Sequence, residues 1–138
     1  MKKIILLAIL AVVSFTAKAQ DTKPYEEKMA KLESAFKELE DAYHSFSKRD
    51  PATFTDAEKA QLNQIMAKAD SLDSVQTATA LEIAEKFKAT KFPARYLADV
   101  MYNLEYDQLK QLCDPSTGYY NEPGMEKVKK LLASYELR

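Results

Sequence analysis

Apolar side chains recur along residues 25–46 in steps of four and three: Tyr25, Met29, Leu32, Phe36, Leu39, Tyr43 and Phe46. On a helix this spacing puts all seven on one seam. The positions between them are largely charged, and Glu27/Lys31 and Glu33/Lys37 stand four apart with the glutamate first, the order that supports a solvated helical face. Burying seven large side chains is worth about 1.5–3 kcal/mol each, whereas ordering the backbone costs about 1–2 kcal/mol per residue. The seam therefore needs a partner surface. Asp21 or Thr22 can cap this first helix, Pro24 fits its first turn, and Asp50-Pro51 disfavours helix beyond about Ser47.

A mate follows directly. Thr55-Asp56-Ala57-Glu58 reads as a capping box. After it, Leu62, Ile65/Met66, Ala69, Leu72, Ala80, Ile83/Ala84 and Phe87 track a helical period to about Ala89, with a weak spot near Gln76. Asp70, Ser71, Asp73, Ser74, Thr77 and Thr79 are poor helix formers. The pattern predicts one long helix with a soft middle, a break at Ser71–Ser74 being the alternative. Two long helices joined by a short proline-containing turn predict an antiparallel hairpin over residues 22–90.

Residues 93–138 predict three shorter helices. Pro93 opens the first, with Tyr96, Leu97, Val100, Met101 and Leu104 on its apolar side, and the second spans Tyr106 to Cys113 before Asp114-Pro115. The loop Ser116-Thr117-Gly118-Tyr119-Tyr120 leads to Asn121, a candidate N-cap for a last helix from Glu122 to about Glu136, with Met125, Val128, Leu132 and Tyr135 inward. Only two glycines occur, and no alternating apolar run bounded by turn residues marks a strand. The expected fold is all-α: a long antiparallel helical hairpin followed by three shorter helices, in one domain over residues 20–138.

The N-terminus adds a destination. Lys2 and Lys3, an apolar run from Ile4 to Val13, and Ala17-Lys18-Ala19 form the layout of a secretory signal peptide over residues 1–19, with cleavage expected after Ala19. The run is shorter than the ~20 apolar residues that span a bilayer, so no stable membrane anchor is expected. Loss of Lys2, Lys3 and Lys18 leaves 17 Lys+Arg against 21 Asp+Glu, a net charge of −4. That balance argues against nucleic acid as a partner.

Candidate chemistry is sparse. Cys113 is the only cysteine, so it forms no internal disulfide and is a candidate free thiol; packing at a helix end beside Leu109 and Leu112 is the competing reading. His44 is the only histidine and is expected on an exposed face, paired with Glu40. Glu38/Glu40/Asp41 and Glu82/Glu85 have the spacing of ordinary helix faces. No phosphate-binding glycine loop, nucleophile elbow or zinc motif occurs, and no catalytic residue, metal ligand or cofactor site is expected. Of the eight tyrosines, Tyr25, Tyr43, Tyr96 and Tyr135 fall on apolar seams. Tyr119 and Tyr120, in a glycine-containing loop, are the candidates for contact with a protein partner.

Phe92-Pro93-Ala94-Arg95-Tyr96-Leu97, Asn103-Leu104-Glu105-Tyr106-Asp107-Gln108-Leu109, Asp114-Pro115 through Tyr119-Tyr120-Asn121-Glu122-Pro123, and Leu131-Leu132-Ala133-Ser134-Tyr135-Glu136-Leu137-Arg138 carry a resemblance. This part of the chain resembles the helical region that precedes the catalytic domain of exported TlpA-like (AhpC/TSA-type) thioredoxin-fold proteins. The resemblance is closest over residues 92–138; the hairpin before it is similar in kind. It implies an envelope setting, the periplasm, and a thioredoxin-like domain as partner, either following in a longer reading frame or supplied by another chain. The family's Cys-x-x-Cys has no counterpart among these residues, and Cys113 inherits no role. The expected function is a non-catalytic module that packs on such a domain, with self-association as a homodimer through the first seam a further expectation. The alternative is a holdase-type envelope chaperone or adaptor.

Overall fold

The computed structural model describes residues 21–137, so the signal peptide expected over residues 1–19, its cleavage site and Arg138 lie outside the described residues. Among the described residues the chain is all-helical: α1 (Lys23–Ser47), α2 (Asp56–Lys86), α3 (Ala94–Val100), α4 (Tyr106–Leu112) and α5 (Met125–Glu136), with 3-10 turns at Pro51–Thr53 and Met101–Asn103. None of these residues is in a strand.

Local chemistry sets the element ends. Pro24 lies in the first turn of α1, and Asp50 caps the short turn after it by accepting a hydrogen bond from the Ala52 N–H at 3.0 Å. The Thr55–Glu58 capping box is present in both directions, each bond 3.1 Å long. Beyond it α2 runs unbroken through Ser71–Ser74. Thr77 and Thr79 bond the carbonyls of Asp73 and Val75, four residues back, at 2.8 and 2.7 Å. Their hydroxyls are thereby satisfied inside the helix rather than competing with it.

α1 and α2 lie side by side in opposite directions. The Tyr25 ring meets the Phe87 ring edge-on at 5.5 Å, and the Tyr25 hydroxyl donates to Glu82 at 3.0 Å. The other end of the pair is closed by Phe46 against Phe54 at 5.6 Å. α3 packs on α2 and α5, and α4 packs on α5. The core gathers Met29 and Leu32 from α1, Ala80, Ile83 and Ala84 from α2 with Phe87 just beyond it, and Leu97, Val100, Leu109, Met125 and Val128 from the later helices. Phe46 and Ile65 are buried apart from it. The molecule thus has a head, where all five helices contribute to the core, and an arm made of the C-terminal half of α1 and the N-terminal half of α2.

Three boundaries differ from the sequence pattern. α2 ends at Lys86 rather than near Ala89, because Phe87 leaves helical geometry and the Lys88 carbonyl accepts from the Gly118 N–H at 2.7 Å. A Cβ on Gly118 would sit 2.3 Å from the Ala89 carbonyl oxygen, so this close approach requires glycine. α4 stops at Leu112, with Cys113 as its cap. α5 begins at Met125 rather than Glu122: residues 119–124 are spent on turns, including a bond from the Glu122 N–H to the Tyr119 carbonyl, and Gly124 rather than Asn121 precedes the helix. Gly124 packs so near Ala94 that a Cβ there would lie 2.6 Å from its carbonyl oxygen.

Candidate functional site

The two tyrosines singled out by sequence part company. Tyr119 is 2% exposed and belongs to the core, where burial pushes its phenol pKa up. It offers no surface to a partner, and the expectation of a contact there is corrected for this residue. The physical cause is its neighbour: Gly118 docks on the chain after α2 and carries Tyr119 inward. Tyr120 is partly buried, with the Lys129 ammonium 3.9 Å from its ring centre.

Cys113 is a free, partly buried thiol beside the core. Burial raises its pKa; Lys129 pulls it down by less, and Glu136 adds to the rise. The thiol is therefore protonated at neutral pH, away from the thiolate form that nucleophilic chemistry needs. His44 is exposed and lies 3.6 Å from Glu40. No group of three or more His, Cys, Asp or Glu side chains among the described residues is placed to hold a metal ion.

The most exposed aromatic residue among the described residues is one that the pattern did not single out. Tyr102 is 77% exposed, at the middle of the 3-10 turn whose neighbours Met101 and Leu104 are buried. A 3-10 turn brings positions three apart to the same side, so Met101 and Leu104 face inward together and Tyr102 is left outside. Its sequence signal is its absence from the stripe Leu97, Val100/Met101, Leu104. Tyr106, at the start of α4, is also exposed, with the Lys110 ammonium 6.0 Å from its ring centre. Leu137, just past α5, is 89% exposed.

Two of the concave regions among the described residues are lined by both long helices. A cleft of about 650 Å³ lies where α1, α2 and α3 meet, lined by Glu26, Glu33, Asp73 and Asp99 around Arg95, with Met29, Phe36 and Tyr96. Arg95 donates to Glu26 at 3.0 Å and sits over the Phe92 ring at 5.0 Å, so its charge is already engaged. A second, shallower groove of about 480 Å³ runs along the other side of the pair, between Ala35, Glu38 and Leu39 of α1 and Ala67, Lys68, Ser71 and Leu72 of α2. Met66 is 53% exposed on the arm, and Tyr43 and Val75 are exposed as well. The arrangement offers exposed apolar and aromatic surface on both the head and the arm.

Fold and surface together define an all-α chain with a cored head and an open two-helix arm. Comparison with known proteins finds no matching family model, no matching curated protein and no matching solved structure. No helix among the described residues is long and apolar enough to cross a membrane.

Proposed function

We propose that this chain is an exported, non-catalytic helical module that packs on a thioredoxin-like thiol/disulfide oxidoreductase domain, present either in the same polypeptide or as a separate chain. The observation that carries the reading is the exposed Tyr102, with Tyr106 four residues on, in the part of the chain whose sequence resembles the region preceding such domains. Tyrosine in that setting supplies large contact area with few rotatable bonds, which is why it is enriched at protein interfaces. The long antiparallel hairpin and the three shorter helices make the head a rigid platform for that surface. Burial raises the Cys113 pKa, away from the thiolate form that thiol–disulfide chemistry uses, in keeping with a non-catalytic module.

The test is the native product in the cell envelope, its mass and its company. The proposal expects either one polypeptide that continues into a Cys-x-x-Cys domain or a complex with a separate thioredoxin-like protein. A product that carries neither contradicts it. Purified alone, the chain should leave a model disulfide unreduced, and turnover dependent on Cys113 would overturn the non-catalytic assignment.

The open seam of the arm, with Met66 and Tyr43 exposed, supports a second reading as a holdase-type chaperone. Suppression of client aggregation at near-stoichiometric amounts, lost in Met66→Glu, would favour it over docking of one defined domain.

A further inference from the structure

The groove on the side of α1 and α2 away from α3 has a charge pattern that is complementary to itself. On α1, Lys28, Lys31, Ala35, Glu38 and Ala42 follow in steps of three and four and so share one face. On α2, Lys68, Ser71, Val75, Ala78 and Glu82 do the same, and all five are exposed. Leu39 and Leu72, both partly buried, line the groove together with Ala35, Ala67 and Ser71, so its floor is largely apolar. On α1 the face carries Lys28 and Lys31 toward its start and Glu38 further on; on α2 it carries Lys68 and Glu82.

Glu38 and Lys68 stand at one height, whereas Lys28 and Glu82 are offset: Lys28 to Glu38 is ten residues, about 15 Å, and Glu82 to Lys68 fourteen, about 21 Å. Tyr25 reaches Glu82 toward one end of the helix pair, and Glu38 and Lys68 line the same groove toward the other. A two-fold axis parallel to the arm would lay α1 of one copy over α2 of a second. Glu38 then faces Lys68 of the other copy, and the symmetry makes that pair twice. An axis across the arm would instead lay α1 on α1 and set Glu38 near its own counterpart.

We infer that this face is a self-association surface whose occupant is a second copy of the chain, α1 and α2 of the two copies forming a four-helix bundle through the 28–42 and 68–82 faces. The face runs about 21 Å from Lys28 to Ala42 at 1.5 Å per residue and is two helices, about 20 Å, wide. It buries on the order of 400 Å² per copy, the size of a weak, reversible contact rather than an obligate one. The inference does not rest on docking to a thioredoxin-like domain, since it uses neither Tyr102 nor Tyr106 and needs only the purified protein.

Sedimentation velocity of the purified protein from micromolar to millimolar concentration tests it. The expected result is a concentration-dependent monomer–dimer equilibrium that weakens as salt rises. Glu38→Lys and Lys68→Glu should each raise the dimer Kd about tenfold or more by opposing like charges, and the double variant E38K/K68E should return it to within about threefold of the parent. Both positions are exposed, and an unchanged melting temperature establishes that the variants fold. Ala67→Arg, which fills the groove without touching the pairs, should also abolish the dimer. A protein that stays monomeric throughout, or a dimer indifferent to the single changes or not restored by the double one, overturns the inference and leaves the head's docking surface untouched.

Discussion

At Glu58 several local interactions converge on one carboxylate. It accepts hydrogen bonds from Arg49, one at 3.2 Å and a second shorter, and from the Thr55 N–H. The Arg49 bonds first, then the Thr55 amide, hold its pKa at about 2, below the usual carboxylate range. A carboxyl depressed in the folded state stabilises at pH above its unfolded value and loses that contribution as pH falls through the folded value. The melting-temperature difference between the parent and Glu58→Gln should therefore be full above about pH 4.5 and shrink toward pH 2, as read by thermal melts across that window. Thr55→Ala removes the acceptor for the Glu58 N–H and should cost about 1 kcal/mol. Gly118→Ala forces a methyl against the Ala89 carbonyl and should cost about 1–3 kcal/mol in denaturant unfolding.

The same residues show what a sequence can say at this scale. The Thr55 box was legible because it is completed within four residues. A second box, in which the Glu105 N–H donates to Gln108 at 2.9 Å, was not, since glutamate is an uncommon cap. The inward turn of Tyr119 was hidden for another reason: it depends on Gly118 docking about thirty residues back along the chain.

At the scale of elements, periodicity located the helices and tertiary packing decided their ends. α2 crosses Ser71–Ser74 because its threonines bond within the helix and its apolar side is held by α1 and the core. α5 loses the three residues from Glu122 to Gly124 because the chain there is bent by packing against Ala94. The first seam was read as one stripe, yet its fates differ along its length: Met29 and Leu32 join the core, whereas Tyr43 stays exposed on the arm. Periodicity does not report how far the partner surface extends. Substitutions should follow this division. Leu97→Ala, at a fully buried position, should cost about 2–5 kcal/mol, while Met66→Ala, half-exposed on the arm, should cost well under about 1 kcal/mol; chemical denaturation of the two variants side by side checks the contrast.

The whole molecule divides into a head whose helices share a core and an arm only two helices thick. Backbone amides of the arm, with fewer buried neighbours, should exchange with solvent before those of α3 and the second half of α2. Hydrogen exchange followed by peptide should resolve residues 36–47 as faster than residues 79–87. Neither the head's exposed aromatic surface nor the arm's open side was visible as such in the sequence, because each is defined by what the other helices leave uncovered.

The central claim, that the head serves as a docking surface for a thioredoxin-like domain, is tested most directly by calorimetric titration of the purified protein with an exported thioredoxin-like domain from the same cell. The account predicts saturable binding that Tyr102→Ala weakens by about 2 kcal/mol or more, the loss expected of an aromatic anchor, with the melting temperature unchanged. Absence of binding, or binding that ignores Tyr102, would contradict it.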